Sequence, residues 1–121
     1  MSRVVHFEIP ADNPERVADF YKKVLGWSIQ KWEGTVDYWL ISTGKNSEPG
    51  INGGIAMIKD RPDSGVLVTA QVDSVDECLR KITRAGGSIV VPKQPILGYQ
   101  AHFRNPEGNV IGIMENDPSA H

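Results

Sequence analysis

The chain has 121 residues, the length of one domain or of two half-size modules that share a core. Its apolar fraction of 40% and charged fraction of 23% are ordinary for a globular protein and exclude collagen-like, low-complexity and strongly disordered classes. Thirteen Lys+Arg against fifteen Asp+Glu leave a formal charge of -2, and with no basic run nothing supports a nucleic-acid partner. The single cysteine, Cys78, has no disulfide partner in the chain, and no Cys/His spacing matches a zinc site. The opening MSRVVHFEIP is too short and polar for a signal peptide, and no later run approaches the ~18 apolar residues of a membrane span. A soluble, cytoplasmic protein without a membrane partner is expected.

In chain order, Val4–Ile9 alternates as a strand, with Val5, Phe7 and Ile9 on one face and His6 and Glu8 on the other. Asn13 and Pro14 then predict a helix start, Glu15 complements its positive first turn, and Val17, Phe20, Tyr21 and Val24 recur at helical spacing until Gly26. Strands are expected over Ser28–Trp32 and Asp37–Ser42, joined by a turn at Glu33-Gly34. A glycine-rich loop over Gly44–Gly54 and a short strand over Ile55–Ile58 follow. Residues 59–65 read as a linker, polar and holding both Pro62 and Gly65.

The second half repeats the first. Val66–Val72 alternates as a strand, and Ser74-Val75-Asp76-Glu77 is a capping box. Val75, Leu79 and Ile82 mark a helix face that ends at Gly86-Gly87. Ser88–Val91, Gly98–Arg104 and Val110–Glu115 are three further strands, the last two joined by the turn Asn105-Pro106-Glu107-Gly108. An offset of 61 relates His6 to Leu67, Asp12 to Asp73, Val17 to Cys78, Gly26 to Gly87 and Tyr38 to Tyr99. Each half thus reads β-α-β-β-β. The expected fold class is α+β: two tandem βαβββ modules, about 3–58 and 66–116, forming curved sheets around a cavity with helices outside.

This repeat, opened by VVHFEIP…PERVADFYKKVLGW and closed by FRNPEGNVIGIME, resembles the vicinal oxygen chelate superfamily, which includes glyoxalase I, extradiol dioxygenases and bleomycin-resistance proteins. Within it, the HFEIPADNPERVADFY opening and the PGINGGI segment are most similar to small proteins related to lactoylglutathione lyase. In the metal-dependent members, His and Glu side chains from both modules surround one divalent ion. Carried over, those positions fall on His6, Leu67, Ala56 and Gly112. Only His6 offers a ligand atom, so the resemblance implies neither a metal nor another cofactor here, and a pocket suited to a small organic molecule. It also implies a homodimer, since members commonly pair modules across a two-fold axis.

Within that pocket His6 is the candidate acid/base group, with Glu8 tuning its pKa or orienting its ring. Leu67, Thr69, Gln71, Ala56 and Gly112 are expected to line it, together with Trp39, Tyr99, His102 and Arg104 from the third strand of each half. Strand parity already sets His102 and Arg104 on one side and Tyr99 and Phe103 on the other. Arg104 is a candidate clamp for a carboxylate or phosphate. Gly50-Ile51-Asn52-Gly53-Gly54 lacks the spacing and the strand-loop-helix context of a phosphate loop. Three readings follow: a metal-independent lyase- or isomerase-type enzyme acting on a small oxygenated molecule, a non-catalytic binder of the bleomycin-resistance kind, or a metal-dependent glyoxalase or dioxygenase, against which the missing carboxylates argue.

Overall fold

The computed structural model describes residues 2–60, 65–95 and 98–116. It is an α+β protein of eight strands and two α-helices: β1 Val4–Ala11, α1 Pro14–Leu25, β2 Ser28–Lys31, β3 Tyr38–Ser42, β4 Asn52–Met57, β5 Leu67–Gln71, α2 Val75–Arg84, β6 Ser88–Pro95, β7 Tyr99–Arg104 and β8 Val110–Glu115. The chain divides into two compact units, one spanning residues 6–66 and the other residues 67 onward together with the residues up to Val5. Within this second unit the Gln71 N–H donates to the Arg3 carbonyl at 2.8 Å. Part of the linker expected over 59–65 lies outside the described residues; Ile58–Asp60 forms a single 3-10 turn.

In the first unit the strands run in the order β2-β3-β4-β1, with β1 parallel to β4 and the other pairs antiparallel. Helix α1 begins as expected: the Asn13 side chain accepts from the Arg16 N–H, Pro14 fills the first helical position, and Gly26 closes the helix in the left-handed conformation at φ 70°. One face of the strands packs against it. Ala11, Ala18, Ile29, Trp39, Ile41 and Ile55 are buried together, with Phe7, Ile9, Val17, Tyr21, Trp27 and Met57 around them. Trp27 stacks on Tyr21 at 4.9 Å and meets Phe7 at 5.7 Å. All three tryptophans of the chain, Trp27, Trp32 and Trp39, belong to this unit.

In the second unit the order is β5-β8-β7-β6. Helix α2 is capped twice: the Ser74 side chain accepts from the Glu77 N–H, and the Glu115 carboxylate of β8 accepts from the Val75 N–H at 2.8 Å. That places a negative charge against the positive end of the helix dipole. Val75, Ala101 and Ile113 form the buried centre, with Val72, Cys78, Leu79, Ile82, Tyr99 and Phe103 packed on it. Cys78 packs on this cluster, and burial pushes its thiol above its ordinary pKa. The turn before β8 is organised by Asn105, whose side-chain oxygen accepts from the Glu107 and Asn109 N–H groups.

Two strands depart from expectation. β4 starts at Asn52 rather than Ile55, because Gly53 and Gly54 are strand residues over which neighbouring side chains lie and not parts of a loop. A Cβ at Gly53 would stand 2.8 Å from the Phe7 ring. β6 runs on to Pro95 although it contains Pro92. It pairs only with β7 within its unit and is bulged between Ile89 and Val91 and again between Val91 and Gln94, the setting in which a strand tolerates proline. Among the described residues no helix is long and apolar enough to cross a membrane.

Ile55 is fully buried between β1, β3 and α1. Ile55→Ala is expected to cost about 2–5 kcal/mol of unfolding free energy in urea titration, whereas a loss below about 1 kcal/mol would deny this core its role.

Candidate active site

The face of the first unit turned away from α1 carries the polar side chains of β1. Phe7, Ile9 and Ala11 pack toward the helix, so His6 and Glu8 point the opposite way. The registers extend that wall across the unit: His6 pairs with Asn52, Glu8 with Gly54 and Pro10 with Ala56. Tyr38 pairs with Ala56 and Leu40 with Gly54, and Gln30 and Ser28 oppose Leu40 and Ser42. Cross-strand partners share a face, so all of these belong to one surface.

On it, His6 Nε2 and the Tyr38 hydroxyl are 2.8 Å apart and share a hydrogen bond. The rings are nearly parallel, at 19° and 6.5 Å between centroids. Tyr38 lies two strands from His6, and the phenol bridges the gap by lying over Gly54; a Cβ on Gly54 would collide with the ring and hydroxyl of Tyr38. Burial lowers the pKa of His6 below its ordinary 6.5, with Glu8 pulling the other way. At neutral pH the imidazole is therefore uncharged, able to accept a proton through one nitrogen and donate through the other.

The second unit has a corresponding wall. Thr69 of β5 and His102 of β7 both pair with Gly112 of β8. A Cβ on Gly112 would stand 2.7 Å from Thr69 Oγ1, 3.3 Å from Leu67 Cδ2 and 3.5 Å from His102 Cδ2. Leu67 and Thr69 are buried, Gln71 is half-buried, and Arg104 is exposed at the end of β7. Within each unit the expected polar and small residues thus share one face: His6, Glu8 and Ala56 in the first, Leu67, Thr69, Gln71, His102 and Gly112 in the second.

Trp39 and Tyr99 do not belong to these walls. Trp39 is 7% exposed in the helix-side core, where its indole N–H donates to Glu15 of α1 at 3.1 Å. Tyr99 packs with the α2-side cluster and lies under the Lys93 ammonium at 4.1 Å. The residue that sequence reasoning missed is Tyr38. The registers relate Leu40 to His102, and hence Tyr38 to Gln100, an offset of 62 (102 − 40) rather than 61; one residue of slip turns Tyr99 to the face opposite Tyr38. The same registers make Gly54, not Ala56, the counterpart of Gly112, since Gly54 pairs with Glu8 as Gly112 pairs with Thr69. Periodicity along β3, anchored on buried Ile41, was the available signal for Tyr38.

The chain matches the Glyoxalase/Bleomycin resistance protein/Dioxygenase superfamily over residues 3–113, and it belongs to that superfamily. A glyoxylase-like domain-containing protein of Didymella fabae is 30% identical over 114 residues, covering 88% of each chain. Among solved structures, a hypothetical protein of Bacillus halodurans superposes with a TM-score of 0.73 at 15% identity, covering 99% of this chain and 98% of its own. Methylmalonyl-CoA epimerase of Mycobacterium tuberculosis superposes with a TM-score of 0.69 at 14% identity, covering 95% and 88%. At such identities these structures share the fold with this chain and no more.

The His6 titration has a defined sign. Because its folded pKa lies below 6.5, the unfolded chain binds a proton first as the pH falls, so stability is full above 6.5 and declines as the pH drops through the folded pKa. Urea unfolding at pH 7.5 and pH 5 should show a larger loss for the native chain than for His6→Gln. Gly54→Ala should move the phenol off His6, admit water and raise the His6 pKa toward 6.5 in an NMR titration. An unchanged His6 pKa in that variant would contradict the bridging role of Tyr38.

Proposed function

We propose that this chain binds a small oxygenated organic molecule on the wall that carries His6, Glu8 and Tyr38. In this reading the neutral His6 imidazole serves as acid/base group in a metal-independent reaction of lyase or isomerase type. The observation that carries it is the 2.8 Å bond between His6 Nε2 and the Tyr38 hydroxyl, two proton-exchanging groups held together on a half-buried surface. Leu67, Thr69, Gln71 and His102 are read as a ligand-lining surface of the second unit, with Arg104 at its rim.

The donor set does not fit the divalent ion used by other members of the superfamily. Of the positions that correspond to its ligands, His6 alone has a coordinating side chain; Leu67, Gly112 and Gly54, like Ala56, have none. Among the described residues no three His, Cys, Asp or Glu side chains converge. A lone imidazole is a poor hold for such an ion, and no step is routed through one.

A second reading, binding without turnover, draws on the same bond, because Tyr38 already engages the Nε2 of His6. NMR titration with a panel of small hydroxy and oxo compounds separates the outcomes. Saturable shifts at His6, Tyr38 and Gly54 are expected, and shifts confined to other surfaces would overturn the assignment. For a compound that binds and is converted, His6→Ala should lower the rate by about 10²–10⁴-fold; a variant that alters affinity alone marks a binder.

The reading includes a cytoplasmic homodimer. Light scattering should return twice the chain mass of 13.3 kDa at micromolar concentration, and a stable single-chain mass there removes the dimer.

A further inference from the structure

On its helix side the second unit has a groove of about 390 Å³, lined by Leu79, Arg80, Thr83 and Arg84 of α2 and by Ile89 of β6. Its floor is apolar. Ile89 pairs with Phe103 of β7, and cross-strand partners share a face, so Ile89 points to the side where Phe103 and Leu79 pack on the buried cluster. β6 ends the strand order β5-β8-β7-β6, and Ile89 on it stays 47% exposed. The rim is cationic. Arg80 and Arg84 stand one helical turn apart, and Arg84 Nε donates to the Arg80 carbonyl at 3.4 Å, which draws the second guanidinium back toward the first.

We propose that this groove binds a small amphiphilic anion, a carboxylate or phosphate head on a short apolar body. The site belongs to the second unit and does not depend on how the His6 wall is read.

Charge complementarity carries the choice of ligand. Among the described residues neither arginine comes within ion-pair distance of a carboxylate. The acidic residues of α2 are confined to its first turn, where Asp76 accepts from Lys93 Nζ at 2.9 Å. β6 brings no carboxylate to the groove, since Lys93 is its one charged residue. A cation such as Arg84 in the last turn of a helix is ordinary, because it answers the helix dipole. Two guanidinium groups beside Leu79 and Ile89 do more. They offer forked donors to a carboxylate or phosphate, and the apolar floor gives the body of the same molecule a surface to cover. The volume falls at the small end of the ligand-site range of roughly 300–1,000 Å³, which fits a body of a few carbons.

The test sets hexanoate and hexyl phosphate, which have both head and body, against 1-hexanol, which lacks the charge, and acetate, which lacks the body. Binding to the full chain is followed by the methyl NMR signals of Leu79 and Ile89. At least one of the two amphiphilic anions should shift them saturably and weaken as salt is raised, and the tighter of the two names the head group. Hexanol and acetate should bind at least about fivefold more weakly. The double variant Arg80→Gln, Arg84→Gln alters exposed side chains only and should bring the anion down to the level of hexanol. Lys81→Gln, which removes the same charge from α2 outside the groove, should change its affinity little. Hexanol binding as tightly as the anions leaves a merely apolar groove, and acetate binding as tightly leaves a merely charged one. Either result overturns the proposal, as does equal weakening by Lys81→Gln. Shifts of the same methyls on raising the protein concentration alone would assign the groove to a second copy of the chain and overturn it too, as would no shift from either anion up to about 50 mM.

Discussion

Successive side chains on a strand leave it in opposite directions, and in β1 that rule separates two environments. Phe7, Ile9 and Ala11 are drawn under α1 because the helix offers Val17, Ala18 and Tyr21 as partners. His6 and Glu8 have no choice of face once those three are committed. The parallel register with β4 and the antiparallel registers with β3 and β2 spread this division over the whole unit. A slip of one residue anywhere in the ladder would exchange Trp39 for Tyr38 and bury the polar member instead of the apolar one. Packing of the helix face is thus what aims the imidazole, although no atom of α1 is needed near it.

The contact between His6 and Tyr38 has a second requirement. Neighbouring strands stand about 4.8 Å apart, so a side chain on β3 meets one on β1 only by crossing the strand between them. A tyrosine is long enough if its ring lies flat, and the strand beneath then has no room for a Cβ. Gly54 meets that condition. The usual cost of glycine in a strand, weaker packing and greater entropy lost on folding, is offset here by the ring that covers it. Gly112 has the corresponding place in the second unit, but there the neighbours are Thr69, Leu67 and the edge of His102. The two halves share a backbone plan and differ in what they set upon it.

Much of this plan is legible in the residues. Asn13-Pro14 and Ser74-x-x-Glu77 state their helix starts directly, because a cap is a local bargain between a side chain and the next few N–H groups. The Asn105 turn is local for the same reason. The repeat of one element order in the two halves emerged from order and spacing, and the facing of β1 from alternation. What escaped was non-local. Nothing within residues 50–54 tells a glycine loop from a glycine strand; the difference lies in Phe7 and Tyr38, distant in sequence, which lie over Gly53 and Gly54. The third strands carry adjacent aromatic residues, Tyr38-Trp39 in the first half, so that face assignment turns on a single step of phase. The similarity of Tyr38 to Tyr99 suggested an offset that the registers with β4 and β8 correct. Trp39 then goes to the core, where its indole N–H finds Glu15, and Tyr38 to the wall.

The placement of the tryptophans makes the two units spectroscopically distinguishable. Trp27, Trp32 and Trp39 all lie within residues 6–66, and the unit that begins at Leu67 has Tyr99 as its only strongly absorbing ring. Intrinsic indole emission is therefore a signal from one unit, while far-ultraviolet dichroism sums over the backbone of both. Coincidence of the two unfolding curves would establish that a duplicated architecture melts as one cooperative body, and their separation would order the two halves by stability without a single introduced label.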